Sequence, residues 1–490
     1  MKILLIAPHF SHPDYPQYLP SENLGIAYIA AVLREHKYKV DIIDLNFYGI
    51  SANMSSSIVD YSKYDIVGIS VNFQLLHNEA IALANIVKNV NPKCFVVMGG
   101  HYPTFSSKLI LQVCYSVDVV IRGEGEYTFL EIAQKIGDNS FNSLSNILGI
   151  TYRCNGEVYY NQDRPLISDL DTIPLPCRDS LNQMVLKLNH SVPTQISTSR
   201  GCFGKCSFCD IRAFYNSNWR GRSPKSVVDE IEYLQNNYGS KLFRLSDDES
   251  FGCNRKGKER LIEIAREIIR RGLKVELMIS ARATDVDHES FRLLKQAGVI
   301  NCLIGIESGC DRLLKLYNKN CDVETNKRAI RILKDLGIDL YLAFIMFDPR
   351  MTYEELRQNY NFLKENDILD VDSLKSNLWI LNGTEDEKYF IRNNLLYGDF
   401  YNPLYHFMDD KVEIIYNHVE QFKKATFTIE KHIYKSRVNG KVNSSWQNLI
   451  SKYKELWVEF FENLLEFDFI DLNKYINETK KIQRKMEILI

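Results

Sequence analysis

The sequence predicts an α/β protein. An N-terminal doubly wound parallel sheet is followed by a full or partial (β/α) barrel and then by a helical C-terminal region. Three observations carry this expectation. Short apolar runs recur between residues 2 and 121, with apolar residues at helical spacing between them. The same alternation resumes near Thr194 and continues to Phe344. Beyond Leu381 the two-residue period fades, and residues 411–424, 446–467 and 472–490 keep only helical spacing.

In the first block, residues 2–7 form an apolar run closed by Pro8, as suits a buried parallel strand. Leu24, Ala27, Tyr28, Ala31 and Val32 share one face of a helix over 24–35. Residues 40–44, 65–70, 94–98 and 117–121 supply four more strands, and 78–89 and 126–136 read as helices. Such a sheet binds ligands beyond the carboxyl ends of its strands. Those ends carry Ser70-Val71-Asn72, Gly99-Gly100-His101-Tyr102-Pro103-Thr104 and Arg122-Gly123-Glu124-Gly125-Glu126. A glycine pair by itself only makes a tight turn. Three such ends on one sheet edge point to a ligand.

Residues 139–192 have a weaker pattern, and the prolines at 174 and 176 punctuate a linker. The expected domains are therefore 1–138, a linker 139–192, 193–385 and 386–490. In the second block, residues 195–199 form the first strand. Ser223 and Pro224 open a helix as N-cap and first helical residue. Residues 242–246, 275–280, 301–305 and 339–344 are strands; 255–270 is a helix, with others centred near Leu293, Ile330 and Leu356. Functional groups of such a barrel belong at the carboxyl ends of its strands. The C-terminal helices are expected to cap it, with their aromatic residues in the core.

Composition narrows the function. The 490 residues allow several domains, and 45% hydrophobic with 25% charged residues is ordinary for globular proteins. Sixty basic and 62 acidic side chains leave a net charge of -2, which gives no general attraction to nucleic acid or anionic membranes. No apolar run approaches the roughly 20 residues of a membrane span. The opening Met1-Lys2-Ile3-Leu4-Leu5-Ile6-Ala7-Pro8 is too short for a signal peptide, so a cytoplasmic location is expected.

Eight of the 11 cysteines are scattered: Cys94, Cys114, Cys154, Cys177, Cys253, Cys302, Cys310 and Cys321. These read as small buried hydrophobes. Cys202, Cys206 and Cys209 instead share one short stretch after the first strand of the second block. Three thiolates cannot close a four-ligand zinc site alone. The nearest histidine, His190, precedes the strand, and no second CxxC or HxxxH appears. Three thiolates suit a cubane iron–sulfur cluster with one iron left without a protein ligand; zinc is the alternative.

The spacing Cys202-x-x-x-Cys206-x-x-Cys209 resembles the signature of the radical S-adenosylmethionine (radical SAM) enzymes. The preceding sheet resembles the cobalamin-binding domain of their cobalamin-dependent, methyltransferase-like members. The resemblance spans about residues 1–390 and includes Leu24-Gly25, the glycine-bearing strand ends, Thr198-Ser199-Arg200-Gly201-Cys202, Ser246-Asp247-Asp248 and Ile304-Gly305-Ile306-Glu307-Ser308-Gly309.

It implies a [4Fe-4S] cluster on Cys202, Cys206 and Cys209. The open iron binds the amino and carboxylate groups of S-adenosylmethionine, and one electron cleaves its C–S bond to methionine and a 5′-deoxyadenosyl radical. In that setting Asp247 and Asp248 are expected to receive the ammonium, and Arg282 to pair with the carboxylate. Glu307 is expected to meet the ribose hydroxyls or the ammonium. Phe208 is expected to border the adenine, and Ile345 and Phe347 to line the same pocket. Cobalamin is expected to contact Leu24, Gly25, Ser70, Asn72, Gly99, Gly100, Thr104, Gly123 and Glu124.

Two departures matter. The DxHxxG signature of some cobalamin proteins is absent: Asp65-Ile66-Val67-Gly68 supplies no histidine, and His77 lies in another setting. Phe344-Ile345-Met346-Phe347-Asp348-Pro349 replaces a glycine-rich turn, so no substrate is transferred from the family. The leading expectation is methylation of an unactivated carbon in a small-molecule or peptide substrate. An electron donor such as flavodoxin or ferredoxin is the expected partner. The alternatives are a radical cyclase or rearrangement enzyme, with or without cobalamin, and a non-catalytic cobalamin-binding sensor.

Overall fold

A computed structural model describes residues 1–10, 21–138, 141–181, 192–252, 254–438, 443–466 and 472–489. His190 and Cys253 lie outside the described residues.

The first sheet contains β1 (Lys2–Ala7), β2 (Lys39–Asp44), β3 (Ile66–Ser70), β4 (Phe95–Gly99) and β5 (Val119–Ile121). All are parallel and lie in the order β2-β1-β3-β4-β5. β1 is almost wholly buried because helices cover both faces. Ile26, Val32, Phe129 and Ile132 from the helices Leu24–Glu35 and Glu126–Gly137 pack on one face. Leu83, Val87, Ile110 and Leu111 from His77–Val90 and His101–Val113 pack on the other. The strand order reverses between β1 and β3, where a doubly wound sheet opens its binding crevice.

The sheet continues into the stretch read as a linker. β6 (Ile150–Cys154) pairs antiparallel with β5, and β7 (Glu157–Tyr160) pairs antiparallel with β6. Asn155 and Gly156 join them, both with positive φ, 49° and 84°, as a tight hairpin turn demands.

The second sheet is a partial barrel of five parallel strands. β8 (Thr194–Ile196), β11 (Leu242–Leu245), β12 (Glu276–Arg282), β13 (Val299–Glu307) and β14 (Asp339–Phe344) lie in the order β14-β13-β12-β11-β8. The strand expected over 195–199 is split. β8 stops at Ile196, and β9 (Ser199–Gly201) leaves the sheet to pair antiparallel with β10 (Trp219–Gly221).

After the barrel come a small hairpin, β15 (Leu396–Asp399) and β16 (Asn402–Tyr405), and the helices Asp410–Val438, Ser444–Glu466 and Leu472–Leu489. Phe422, Trp446, Trp457 and Phe460 are fully buried and belong to the same core as the second sheet. The aromatic stripes are therefore core, as expected. Among the described residues no helix is long and apolar enough to cross a membrane.

Arginine–glutamate pairs join the two sheets. Arg178 sits between Glu22 of the first block and Glu230 of the second, at 2.6 and 2.7 Å. Arg200 reaches Glu124 at 2.9 Å and Glu126 at 2.6 Å, and Arg220 reaches Glu124 at 2.9 Å. All these side chains are largely removed from water, so each pair is needed to offset the desolvation of its partner.

Candidate active site

A cavity of about 460 Å³ opens at the carboxyl ends of β1, β3 and β4 and extends across to the second sheet. From the first block, Leu24, Gly25, Ser70, Asn72, Gly99, Gly100, Gly123 and Glu124 line it. From the second, Ser197, Arg200, Tyr215, Ser246 and Asp248 line it. Leu5, Gly68, Val97, Ile29 and Phe129 give it an apolar floor.

The backbone explains the glycines at its rim. Gly100 has φ of 122°, and a Cβ there would lie 2.4 Å from the carbonyl oxygen of Val71. Gly123 also has positive φ, 72°, but faces open space. Gly99 has neither constraint: its Cβ would meet Ile121 at an ordinary 3.6 Å.

Two residues expected to touch a ligand are engaged otherwise. Thr104 is not part of the lining. Its hydroxyl donates to the Gly100 carbonyl at 2.8 Å and accepts from the Gly123 amide at 3.0 Å, tying two strand-end loops together. Glu124 lines the cavity, but its carboxylate is taken by Arg200, Arg220 and the Ile167 amide.

The cysteine loop lies after β9. The Gly204 amide donates to Cys202 Sγ at 3.2 Å, and Cys206 is buried. A Cβ at Gly204 would fall 2.4 Å from Arg282 Nη1 and 3.1 Å from Cys202 Sγ, so the loop closes tightly around its sulfurs. Burial pushes the Cys209 thiol well up, and Asp210, Cys206 and Cys202 push it further. These thiolates need a compensating positive charge. Arg282 Nη1 stands 3.6 Å from Cys206 Sγ, and Lys319 lies nearby. Among the described residues, no three Cys, His, Asp or Glu side chains gather closely enough for one metal ion. A cubane does not ask for that, because each thiolate binds a different iron. The donor set and its cationic surroundings fit such a cluster.

The remaining expected contacts divide. Asp248 lines the cavity and accepts from the Gly201 amide at 2.8 Å; burial raises its pKa. Asp247 is not part of the cavity lining: its two oxygens accept from the Thr198 amide (2.7 Å), the Thr198 hydroxyl (2.6 Å) and the Ser199 amide (2.8 Å). It holds the bend where β8 gives way to β9. Arg282 lies against the thiols, also donating to the Lys319 carbonyl, rather than in the open cavity.

Glu307 has a left-handed φ of 62° at a bulge in β13, and its carboxylate pairs with Lys319 at 2.7 Å. Its Oε1 is thus engaged by Lys319 within the chain. Phe208 packs edge-on to Tyr317 with centroids 5.7 Å apart. The buried Ile345 donates its amide to the Glu307 carbonyl at 2.8 Å and so supports that bulge. Phe347 is fully buried against Tyr416 and Phe461, so it belongs to the core under the C-terminal helices.

Two histidines differ in role. His77 is buried, bonded to the Tyr102 hydroxyl at 2.8 Å and stacked on Tyr401 at 4.3 Å. Burial lowers its pKa to about 4. It packs the C-terminal hairpin onto the first sheet. His101 lines the cavity, stacks on Phe214 at 4.0 Å and meets Asp210 at 3.2 Å. Burial opposes its protonation, but Asp210 outweighs that and holds its pKa above the ordinary value. Sequence reasoning missed His101, Arg200 and Tyr215 as site residues. The first two sit inside quoted strand-end motifs; Tyr215 carries no such signal.

Residues 196–363 match the radical SAM superfamily model, and residues 18–133 match the B12 binding domain model. The chain is 33% identical over 409 residues to an uncharacterized methyltransferase of Pyrococcus horikoshii, covering 81% of this chain and 84% of that protein. It is 32% identical over 370 residues to the anaerobic magnesium-protoporphyrin IX monomethyl ester cyclase of Rubrivivax gelatinosus, covering 73% of this chain and 65% of that one. The structure of OxsB, a cobalamin-dependent S-adenosylmethionine radical enzyme, aligns with a TM-score of 0.77 at 21% identity, covering all of this chain and 79% of OxsB. The radical S-adenosylmethionine methyltransferase TsrM of Kitasatospora setae aligns with a TM-score of 0.63 at 18% identity, over 75% of this chain and 71% of TsrM. At those identities the likeness to the two structures is one of fold.

Proposed function

The chain belongs to the radical SAM enzymes that carry a B12 binding domain, and from that premise we propose that it methylates an unactivated carbon of a small-molecule or peptide substrate. The cofactors of this family are a [4Fe-4S] cluster, S-adenosylmethionine and cobalamin. When bound, the cluster and S-adenosylmethionine supply a radical that removes hydrogen, and cobalamin supplies a methyl group.

One observation carries the reading. A single cavity joins the carboxyl ends of the first sheet to Ser197, Ser246 and Asp248 of the second. S-adenosylmethionine held at Asp248 and cobalamin held at the edge of the first sheet would share that space, into which a substrate carbon can be brought, as radical transfer followed by methyl transfer demands. Cys202, Cys206 and Cys209 hold the cluster. Asp248 is the carboxylate left to receive an ammonium group, since Asp247 is occupied by the chain itself. Ser70, Asn72 and the Gly99–Gly100 backbone offer the polar edge that a cobalamin needs. Asp65-Ile66-Val67-Gly68 would offer a bound cobalamin no histidine of the DxHxxG kind.

The cyclase reading is a second one, supported by relatives named as anaerobic cyclases at 32% and 33% identity. Anaerobic turnover with methyl-labelled S-adenosylmethionine separates them. Methylation yields S-adenosylhomocysteine and 5′-deoxyadenosine together, with label in the product. Cyclisation yields 5′-deoxyadenosine without S-adenosylhomocysteine, and that outcome would overturn the methylation reading.

A further inference from the structure

We propose that the substrate carries an anionic group, a carboxylate or a phosphate, and that Arg244 on the concave face of the partial barrel receives it. This names the substrate class of the reaction proposed above and rests on that reading.

The two faces of the second sheet differ. Successive side chains of a strand point to opposite sides. Phe243, Leu245, Leu277, Ile279, Cys302 and Ile304 are buried in the core with the helices Pro224–Tyr238 and Arg255–Arg270. Arg244, Met278, Asn301 and Leu303 therefore point the other way, into the concavity. The register sets Gln195, Arg244, Met278 and Asn301 side by side on β8, β11, β12 and β13. Leu303 and Tyr341 are neighbours one layer nearer the carboxyl ends. In a closed (β/α) barrel such positions are filled by packed side chains. Here Arg244 is exposed, Tyr341 is 48% exposed, and Met278, Asn301 and Leu303 are half-buried. This face is continuous with the cavity between the sheets. Gln195, the cross-strand neighbour of Arg244, and Ser246, two residues beyond it, both line that cavity.

The polar groups on this face are unused. Among the described residues, the Arg244 guanidinium donates no hydrogen bond and meets no carboxylate at ion-pair distance. Gln195 accepts from the Ser246 hydroxyl through Oε1, and its amide nitrogen has no acceptor among the described residues. Asn301 Nδ2 and the Tyr341 hydroxyl likewise donate to no described residue, and the charge of Arg244 reaches that hydroxyl. The acids beside Tyr341 are occupied: Asp372 pairs with Lys375 at 3.0 Å, and Asp370 accepts from the Ser373 amide at 2.6 Å. Glu276 and Asp339 share the face but are the first residues of their strands, at its amino end. Arg244 is the penultimate residue of β11, toward the end where the cavity lies. A guanidinium without a counter-ion, set among unused donors, suits the oxygens of a carboxylate or phosphate. Met278 and Leu303 offer apolar surface beside it for a carbon skeleton. Met278, level with Arg244, precedes Arg282 by four residues, so an anion at Arg244 lies about 13 Å along the strand from the level of the cysteine loop. The reacting carbon is then at the other end of the molecule, toward the cluster.

The test uses the full chain, reconstituted anaerobically with cluster and cobalamin, and three matched probes: benzoate, phenyl phosphate and the neutral benzamide. Binding is read by ligand-observed nuclear magnetic resonance. At least one of the two anions is expected to bind the wild type more tightly than benzamide, and the tighter one identifies the group as carboxylate or phosphate. In Arg244→Gln the affinity for that anion is expected to fall about tenfold or more, and in Arg244→Lys by less. Iron and corrinoid content are expected to stay at the wild-type level in both variants, because Arg244 holds no other part of the chain. Benzamide binding as tightly as the anions, a wild type that binds neither anion, or an anion affinity unchanged in Arg244→Gln overturns the proposal. None of the probes turns over, so the result is separate from the test of methylation. Arg244-dependent anion binding in a chain whose turnover yields no S-adenosylhomocysteine would overturn the methylation reading alone.

Discussion

Gly100 shows how one residue decides the rim of the cavity. Its positive φ and the 2.4 Å approach to the Val71 carbonyl leave no room for a side chain, whereas Gly99 has ordinary space. Gly100→Ala is expected to destabilise the chain by about 1–3 kcal/mol through backbone strain and overlap, and Gly99→Ala by much less. Urea unfolding of the two variants checks this. His77 gives a second prediction. Its folded pKa of about 4 lies below its ordinary value because burial disfavours the charged ring. Below its unfolded pKa the unfolded chain binds a proton that the folded chain refuses, so stability falls as pH drops from about 6.5 to 4. His77→Phe should remove that part of the pH dependence while leaving cobalamin binding intact, because His77 packs against Tyr102 and Tyr401. Loss of cobalamin in a spectroscopic titration would contradict the placement.

At the scale of elements, the strand ends were readable from sequence because parallel strands are apolar runs and their ligand-facing turns are rich in glycine. What those side chains bond to was not readable. Asp247 and Asp248 are neighbours in sequence, yet one braces Thr198 and Ser199 while the other lines the cavity. Glu307 looked like a free carboxylate until Lys319, 12 residues on, came to lie beside it. Phe347 looked like a pocket residue, but its neighbours come from helices about 70 and 110 residues later. β6 and β7 are short, and β7 is mostly exposed, so their hydrophobic pattern is faint; the Asn155-Gly156 pair was the signal that marks the hairpin. The Arg200 ladder belongs to this scale too. Arg200→Ala leaves Glu124 and Glu126 buried with fewer partners and is expected to cost about 3–5 kcal/mol. Thermal unfolding of the full chain, compared with Arg200→Lys, measures it.

Across the whole molecule, the two sheets present their carboxyl ends to one cavity, and the C-terminal helices share a core with the second sheet. That arrangement follows from the rule that parallel sheets bind at their strand ends, applied twice in one chain. The sequence alone indicated each half; the arginines that set one against the other emerged only in three dimensions. The substrate is a matter of what fills the remaining space, and the replaced turn at 344–349 is largely buried structure rather than an open pocket wall.

The most direct measurement is anaerobic reconstitution of the full chain with iron, sulfide and cobalamin, followed by metal, sulfide and corrinoid analysis and by assay of 5′-deoxyadenosine. The account predicts about four irons and four sulfides on the three cysteines, one cobalamin, and 5′-deoxyadenosine that disappears when Cys202, Cys206 and Cys209 are replaced by alanine. Zinc in place of iron, or 5′-deoxyadenosine that survives the triple replacement, would contradict it.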